Sequence, residues 1–211
     1  MKNNKKISAR IFWVLVLSIP IKGFTQELLN LKQYFETDLK GWTSSFRDFK
    51  LAEFKMVDTI EFSHDRQKEF INYNEFLSVY KPILTWSADS IQFIDIYSVP
   101  LNIQRKDSFY VADPNDHQGI YLCNPVNRYW AIIYSGAWGG GIDEVIWVSK
   151  TKFILAGTEH ASNGPQSLPV ILVGDTKSQR FERYRSPDQS CFQENGGYLS
   201  PKLMKMKIRY L

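Results

Sequence analysis

The chain has 211 residues, 44% of them hydrophobic and 15% aromatic, with a formal net charge of +4. This length suits one domain with a sizeable core, and no Pro/Ser-rich linker or block of charge divides the chain. The excess positive charge lies in the first 25 residues, so nothing in the remainder calls for nucleic acid or an anionic membrane as a partner.

Residues 1–25 have the layout of a secretory signal peptide. A basic start is followed by the apolar run 11–21 and by a small-residue exit, Gly23-Phe24-Thr25. The run is about 11 residues long, and a membrane-spanning helix needs about 20. We therefore expect cleavage near Thr25 or Gln26, leaving a single β-rich domain (26–211) that is periplasmic or secreted and not integral to the membrane. An uncleaved anchor is the alternative.

Removal of this segment changes the charge of the protein. It contains five of the 26 Lys and Arg residues and no acid, which leaves 21 basic residues against 22 acidic ones, a net charge of −1. The basicity of the whole chain is thus an export feature, and we expect no nucleic-acid partner.

Two helices are predicted in the first third. Apolar residues recur at three- and four-residue steps over 27–39 and over 67–80, and Pro82 prevents the second helix from continuing. Between them, residues 54–56 and 60–62 alternate between apolar and polar, as half-buried strands do.

After Pro82 the pattern is β throughout. We predict a mainly β (α+β) fold, an antiparallel meander, sandwich or barrel with one or two N-terminal helices. A faint repeat of Trp86-Ser87 in Trp147-Val148-Ser149 keeps a small or partial β-propeller as an alternative. The predicted strands are 83–86, 91–97, 109–112, 120–123, 129–134, 145–148, 153–156, 170–173, 181–185 and 204–210.

The stretch 129–160 is the predicted centre of the sheet and is typical of two consecutive β-hairpins. Its Gly-rich link, 135–141, is not a phosphate cradle, because a strand follows it and no Lys-Ser/Thr does. We interpret the link as a flexible hairpin loop. Trp138 at its tip is either a contact residue or folded back on the sheet.

The C-terminal segment 204–210 alternates apolar residues with Lys205, Lys207 and Arg209. This pattern predicts a strand with one buried and one basic face. The basic row either attracts an acidic partner or keeps a sheet edge soluble and unpaired.

No cofactor or metal is expected. The histidines, His64, His117 and His160, would have to converge from distant places to bind zinc. The segment 113–119, DPNDHQG, departs from the calcium-loop pattern and is better interpreted as a turn. Cys123 and Cys191 are candidates for one disulfide in an oxidising compartment, the alternative being two separate buried thiols.

Catalytic signals are weak. No Gly-x-Ser-x-Gly elbow occurs, which leaves carboxylates as a route to hydrolysis. Asp143, Glu144 and Glu159, with His160 beside them, are the weak catalytic candidates. They support an alternative function, a secreted carbohydrate-active hydrolase that uses paired carboxylates.

We expect instead a non-catalytic binding protein of the bacterial cell envelope, which recognises another macromolecule through loops of a β scaffold. An inhibitor or a toxin-immunity protein would be of this type, and the partner would be a protein or a cell-envelope glycan. Loops 138–143 and 159–166 supply the candidate contacts. The candidate binding residues are Trp138, Gly139, Gly140, Asp143, Glu159, His160 and Asn163.

Overall fold

The computed structural model describes residues 24–211 except 64–65, 68–71, 128, 138–139, 162–163, 165 and 194–196. The predicted signal peptide lies almost wholly outside these residues and stays a prediction. In the part of the chain that is described, no helix has both the length and the apolar character needed to cross a membrane.

Three short helices, rather than one longer helix, begin the described part of the chain. They are α1 (Phe24–Asn30), α2 (Lys32–Glu36) and α3 (Lys40–Thr43), and a 3-10 turn (Leu51–Glu53) follows them. The prediction of one continuous helix over 27–39 is therefore wrong. The breaks turn the chain so that Leu28, Phe35 and Trp42, one from each helix, are all buried in the same cluster.

The remaining elements are mostly strands, as predicted. They are β1 (Lys55–Glu61), β2 (Arg66–Gln67), α4 (Tyr73–Tyr80), β3 (Thr85–Trp86), β4 (Phe93–Asp95), α5 (Ser98–Leu101), β5 (Gln104–Lys106), β6 (Phe109–Ala112), β7 (His117–Asn124), β8 (Tyr129–Ala137), β9 (Gly140–Trp147), β10 (Lys152–His160), β11 (Ser167–Asp175), β12 (Arg180–Arg185), α6 (Pro201–Met204) and β13 (Ile208–Tyr210).

These strands form three sheets. The first sheet has the order β1-β12-β11-β10-β9, the second sheet β2-β8-β7-β4-β3, and the small sheet β13-β6-β5. Their pairings are antiparallel except that of β13 with β6, which is parallel. The predicted antiparallel, mainly β fold is confirmed, and the described strands close no barrel.

The first sheet is covered on both faces, which explains its continuous apolar runs. In β10, Phe153 and Leu155 belong to the core shared with the second sheet, whereas Ile154 and Ala156 belong to the core beneath the helices. The molecule is thus a sandwich of two sheets with a layer of helices on one side, rather than a set of propeller blades.

The Gly-rich link is not a hairpin loop. β8 lies in the second sheet and β9 in the first, so the chain crosses between sheets at this link. The second predicted hairpin, β9 with β10, is confirmed. A crossing between stacked sheets and a hairpin both need a short link between apolar strands, and the local sequence pattern is therefore the same for the two.

Two other element predictions need correction. The helix predicted over 67–80 begins only at Tyr73, because Gln67 belongs to β2 and pairs with Trp130. The last strand begins at Ile208, while Met204 ends α6 and is 60% exposed. The sequence Ser200-Pro201 starts that helix, with the Ser200 hydroxyl accepting from the Lys202 backbone N–H.

The disulfide candidate is also wrong. Cys123 and Cys191 are free, buried thiols. Cys123 lies in the core between the two sheets and Cys191 in the core beneath the helices, so the first sheet separates them. Burial raises the pKa of the Cys191 thiol to about 11, which keeps it protonated and unreactive at neutral pH.

We predict that Gly174→Ala destabilises the fold. Gly174 pairs with Phe153 across β10 and β11, and a Cβ at this position would lie 2.3 Å from Cζ of the Phe153 ring. Overpacking of this kind costs about 1–3 kcal/mol, measurable by urea denaturation. Gly164→Ala is the matched control, because nothing lies within 4 Å of its added Cβ. Equal stability of Gly174→Ala and the wild type would contradict the packing described here.

Candidate functional site

One end of the sandwich carries an open groove that encloses about 270 Å³. Four segments form its walls: the loop after β4 with α5, the start of β7, the start of β9, and the segment that leads into α6. Residues that line it include Tyr97, Leu101, Asp143, Tyr198, Leu199 and Leu203.

A β-bulge in β9 places two acids at this groove. Glu144 pairs with Ala156 and Ile142 pairs with Gly157, so Asp143 is the extra residue of the bulged strand. A bulge re-aims the side chains beside it. Here both acids contact aromatic residues of the core beneath the helices. Asp143 contacts Trp42, and Glu144 contacts Tyr198.

Asp143 is half-buried, and the described residues engage one oxygen of its carboxylate. Its Oδ2 accepts from the indole Nε1–H of Trp42 at 3.1 Å, whereas Oδ1 has no hydrogen-bond partner among the described residues. Burial raises the pKa of Asp143 to about 7, against the lowering effect of the Trp42 hydrogen bond, and the charge of Glu144 raises it further. Near neutral pH the group is therefore shared between its protonated and ionised forms.

Both oxygens of the Glu144 carboxylate accept hydrogen bonds. The residue is 5% exposed; its Oε1 accepts from the hydroxyls of Tyr198 and Ser200, and its Oε2 from Lys202 Nζ at 2.9 Å. Lys202 also donates to Thr85 Oγ1 at 2.9 Å and to a backbone carbonyl of β9. This network fastens the segment before α6 to both sheets and so builds one wall of the groove.

Gln118 ties the second sheet to the first beneath the groove. Its Nε2 donates to the carbonyls of Ile142 at 2.8 Å and Ile96 at 3.1 Å, and its Oε1 accepts from the Ile142 N–H at 2.6 Å. The side-chain amide thereby replaces a strand partner for the start of β9, whose backbone groups would otherwise lack one on that side.

The opposite wall depends on Asp95, a buried carboxylate at the end of β4. Its Oδ1 accepts from the backbone N–H groups of Tyr97 and Ser98, both at 3.0 Å, and the Ser98 hydroxyl donates to Oδ2. Burial raises the pKa of Asp95, and these hydrogen bonds oppose the shift. The turn they fix places Tyr97, whose hydroxyl donates to the Asp143 carbonyl at 2.8 Å.

The structure gathers only some of the predicted site residues. Gly140 and Asp143 line the groove, and Glu144 lies beside it. Glu159 instead forms an ion pair with Arg185, and His160 is exposed at the end of β10. The predicted contacts Trp138, Gly139 and Asn163 lie outside the described residues and stay predictions.

Other residues at the groove were not predicted. Tyr97, Gln118, Tyr198, Ser200 and Lys202 come from segments with no catalytic or binding motif. Only Ser200-Pro201, a helix-start signature, could have indicated that this segment is ordered. No three His, Cys, Asp or Glu side chains of the described residues are grouped so as to hold a metal ion.

Comparison of the chain with protein-family models, with curated proteins and with solved structures returned no match in any of the three. The groove and its contacts are therefore the basis on which a function can be inferred.

We predict that Asp143→Asn stabilises the protein at pH 8. The folded pKa of about 7 exceeds the unfolded value of about 3.9, so stability falls as pH rises from about 4 to 7 and stays low above it. Such a shift corresponds to about 4 kcal/mol, and we expect about half of it because the side chain is partly solvated. An asparagine still offers an oxygen to Trp42.

Urea denaturation at several pH values measures the effect. The gain should disappear as the pH is lowered to about 4. Asp116→Asn, an exposed acid on the same groove, is the control and should change stability little. A gain for Asp143→Asn that does not vary with pH would show that the buried charge is not its cause.

Proposed function

We propose that the protein is an exported, non-catalytic binding protein of the bacterial cell envelope, which recognises another macromolecule with the groove end of its β scaffold. The observation that carries this proposal is the groove around Asp143, with apolar and aromatic walls and one incompletely satisfied carboxylate. A rigid sandwich that holds several loops together at one end is a common basis for recognition.

The folding stability that is lost when Asp143 ionises supports a role of this residue in binding. A carboxyl whose pKa burial raises to about 7 makes the folded state less stable at neutral pH than a neutral side chain would. Perturbed groups of this kind concentrate at functional sites, because packing alone gives no reason to keep them. A ligand that contacts the carboxylate would compensate for the lost hydration.

The size and shape of the groove suit one part of a larger partner better than a whole small molecule. Its space of about 270 Å³ is just below the range of about 300–1,000 Å³ that is usual for small-molecule sites, and it is open to solvent. It therefore suits one side chain or a short segment of a protein or envelope glycan. Leu199, which lines the groove and is 53% exposed, offers apolar contact area.

A carbohydrate-active hydrolase is the second candidate. One observation favours it: an acid with a pKa of about 7 can serve as a general acid or base. The paired-carboxylate mechanism also needs a second acid that is free to act. Glu144 has both oxygens occupied and Glu159 is paired with Arg185, so binding is the better-supported function.

We predict that Leu199→Lys weakens partner binding by about tenfold or more, because it places a charge on an apolar contact surface. Immobilised wild-type and variant proteins would be exposed to envelope extract, and captured proteins and glycans quantified by mass spectrometry. Val126→Lys, at an apolar residue that is 79% exposed in the turn after β7, is the matched control and should capture as the wild type does. Equal capture by wild type and Leu199→Lys would contradict the proposal.

A further inference from the structure

We infer that the groove receives a cationic side chain of the partner, the ammonium of a lysine or the guanidinium of an arginine, on Oδ1 of Asp143. This inference rests on the proposed binding function and specifies the chemistry that the groove recognises. It follows from three features of the groove: the orientation of one carboxylate, the balance of charge around it, and the nature of its walls.

The Asp143 carboxylate is held in place through one of its two oxygens. Trp42 in α3 donates to Oδ2, which fixes the carboxylate against the helix layer, and Oδ1 lacks a hydrogen-bond partner among the described residues. A carboxylate oxygen in a half-buried site binds a charged donor more strongly than a neutral one. An ammonium or guanidinium would therefore supply both a hydrogen bond that the described residues do not make to Oδ1 and a countercharge.

The charges around Asp143 are negative or already neutralised. Asp116 lines the same groove, and of the described lining residues none is Lys or Arg and one is a histidine, His117. Lys202, the nearby cation, is held by Glu144, Thr85 and a carbonyl of β9. The other titratable groups near Asp143 are the hydroxyls of Tyr97 and Tyr198. A cation would thus meet no free like charge, whereas an anion would meet two carboxylates.

The walls suit the stem of a long basic side chain. Leu101, Leu199 and Leu203 line the groove with Tyr97 and Tyr198. Lysine and arginine bury their methylene groups against apolar surface while the charged end reaches a polar partner. The groove offers both surfaces within one space of about 270 Å³, which distinguishes it from an exposed acid on a flat surface.

Two small molecules with the same stem test this inference. Nα-acetyl-lysine amide and Nα-acetyl-norleucine amide differ in the charged amine, and each would be titrated into the purified protein at pH 8. The indole Nε1–H signal of Trp42, assigned with Trp42→Phe, reports on Asp143 directly. We expect the lysine compound to bind at least about tenfold more tightly than the norleucine compound.

The variants complete the test. Asp143→Asn should lower the affinity for the lysine compound to that of the norleucine compound, and Glu75→Gln, at an exposed acid of α4 that does not line the groove, should change it less than about threefold. Equal binding of the two compounds to the wild type, or unchanged binding to Asp143→Asn, would overturn the inference. In that case a partner whose capture Leu199→Lys abolishes would still support the proposed function, so the two failures are distinguishable.

Discussion

The groove depends on the β-bulge at Asp143. Without the extra residue, successive residues of β9 would alternate between the two faces of the first sheet, and its two consecutive acids would diverge. The neighbouring strand must allow the bulge, and Gly157 does so: a Cβ there would lie 2.1 Å from the Gly141 carbonyl oxygen. The position of both carboxylates thus follows from a backbone irregularity that one glycine permits.

The two acids at the bulge have opposite energetic roles. Glu144 is buried with a lysine and two hydroxyls as partners, so its charge is compensated and it fastens the C-terminal segment to the sheets. Among the described residues Asp143 has one indole N–H and no cation as partners, so burial raises its pKa and ionisation weakens the fold. The network of Glu144 ties one wall of the groove that contains Asp143 to both sheets. We therefore assign stability to Glu144 and propose recognition for its neighbour Asp143.

The sequence predicted the mainly β class and most strands well and the site poorly, for different physical reasons. Strands such as β10 and β11 are covered on both faces, and their apolar runs are a local signal. The Asp143 site is made by long-range contacts, for example Trp42 and Tyr97 with the bulge, and no local pattern encodes them. The acids themselves were recognised as candidates, but the bulge and the partners that separate their roles were not. Ser200-Pro201 is a helix-start signature, but the residues after it alternate between apolar and basic, and this alternation predicted a strand.

The central claim is that Asp143 lies in the groove as a partly desolvated carboxyl to which no described residue supplies a compensating charge. The chemical shift of the Trp42 indole Nε1–H, followed from pH 4 to 9 in the wild type and in Asp143→Asn, tests it most directly because this N–H donates to the Asp143 carboxylate. A single titration with a midpoint near 7, absent from Asp143→Asn, is the predicted result. A midpoint near 4, the value of an ordinary solvated aspartate, would contradict the account.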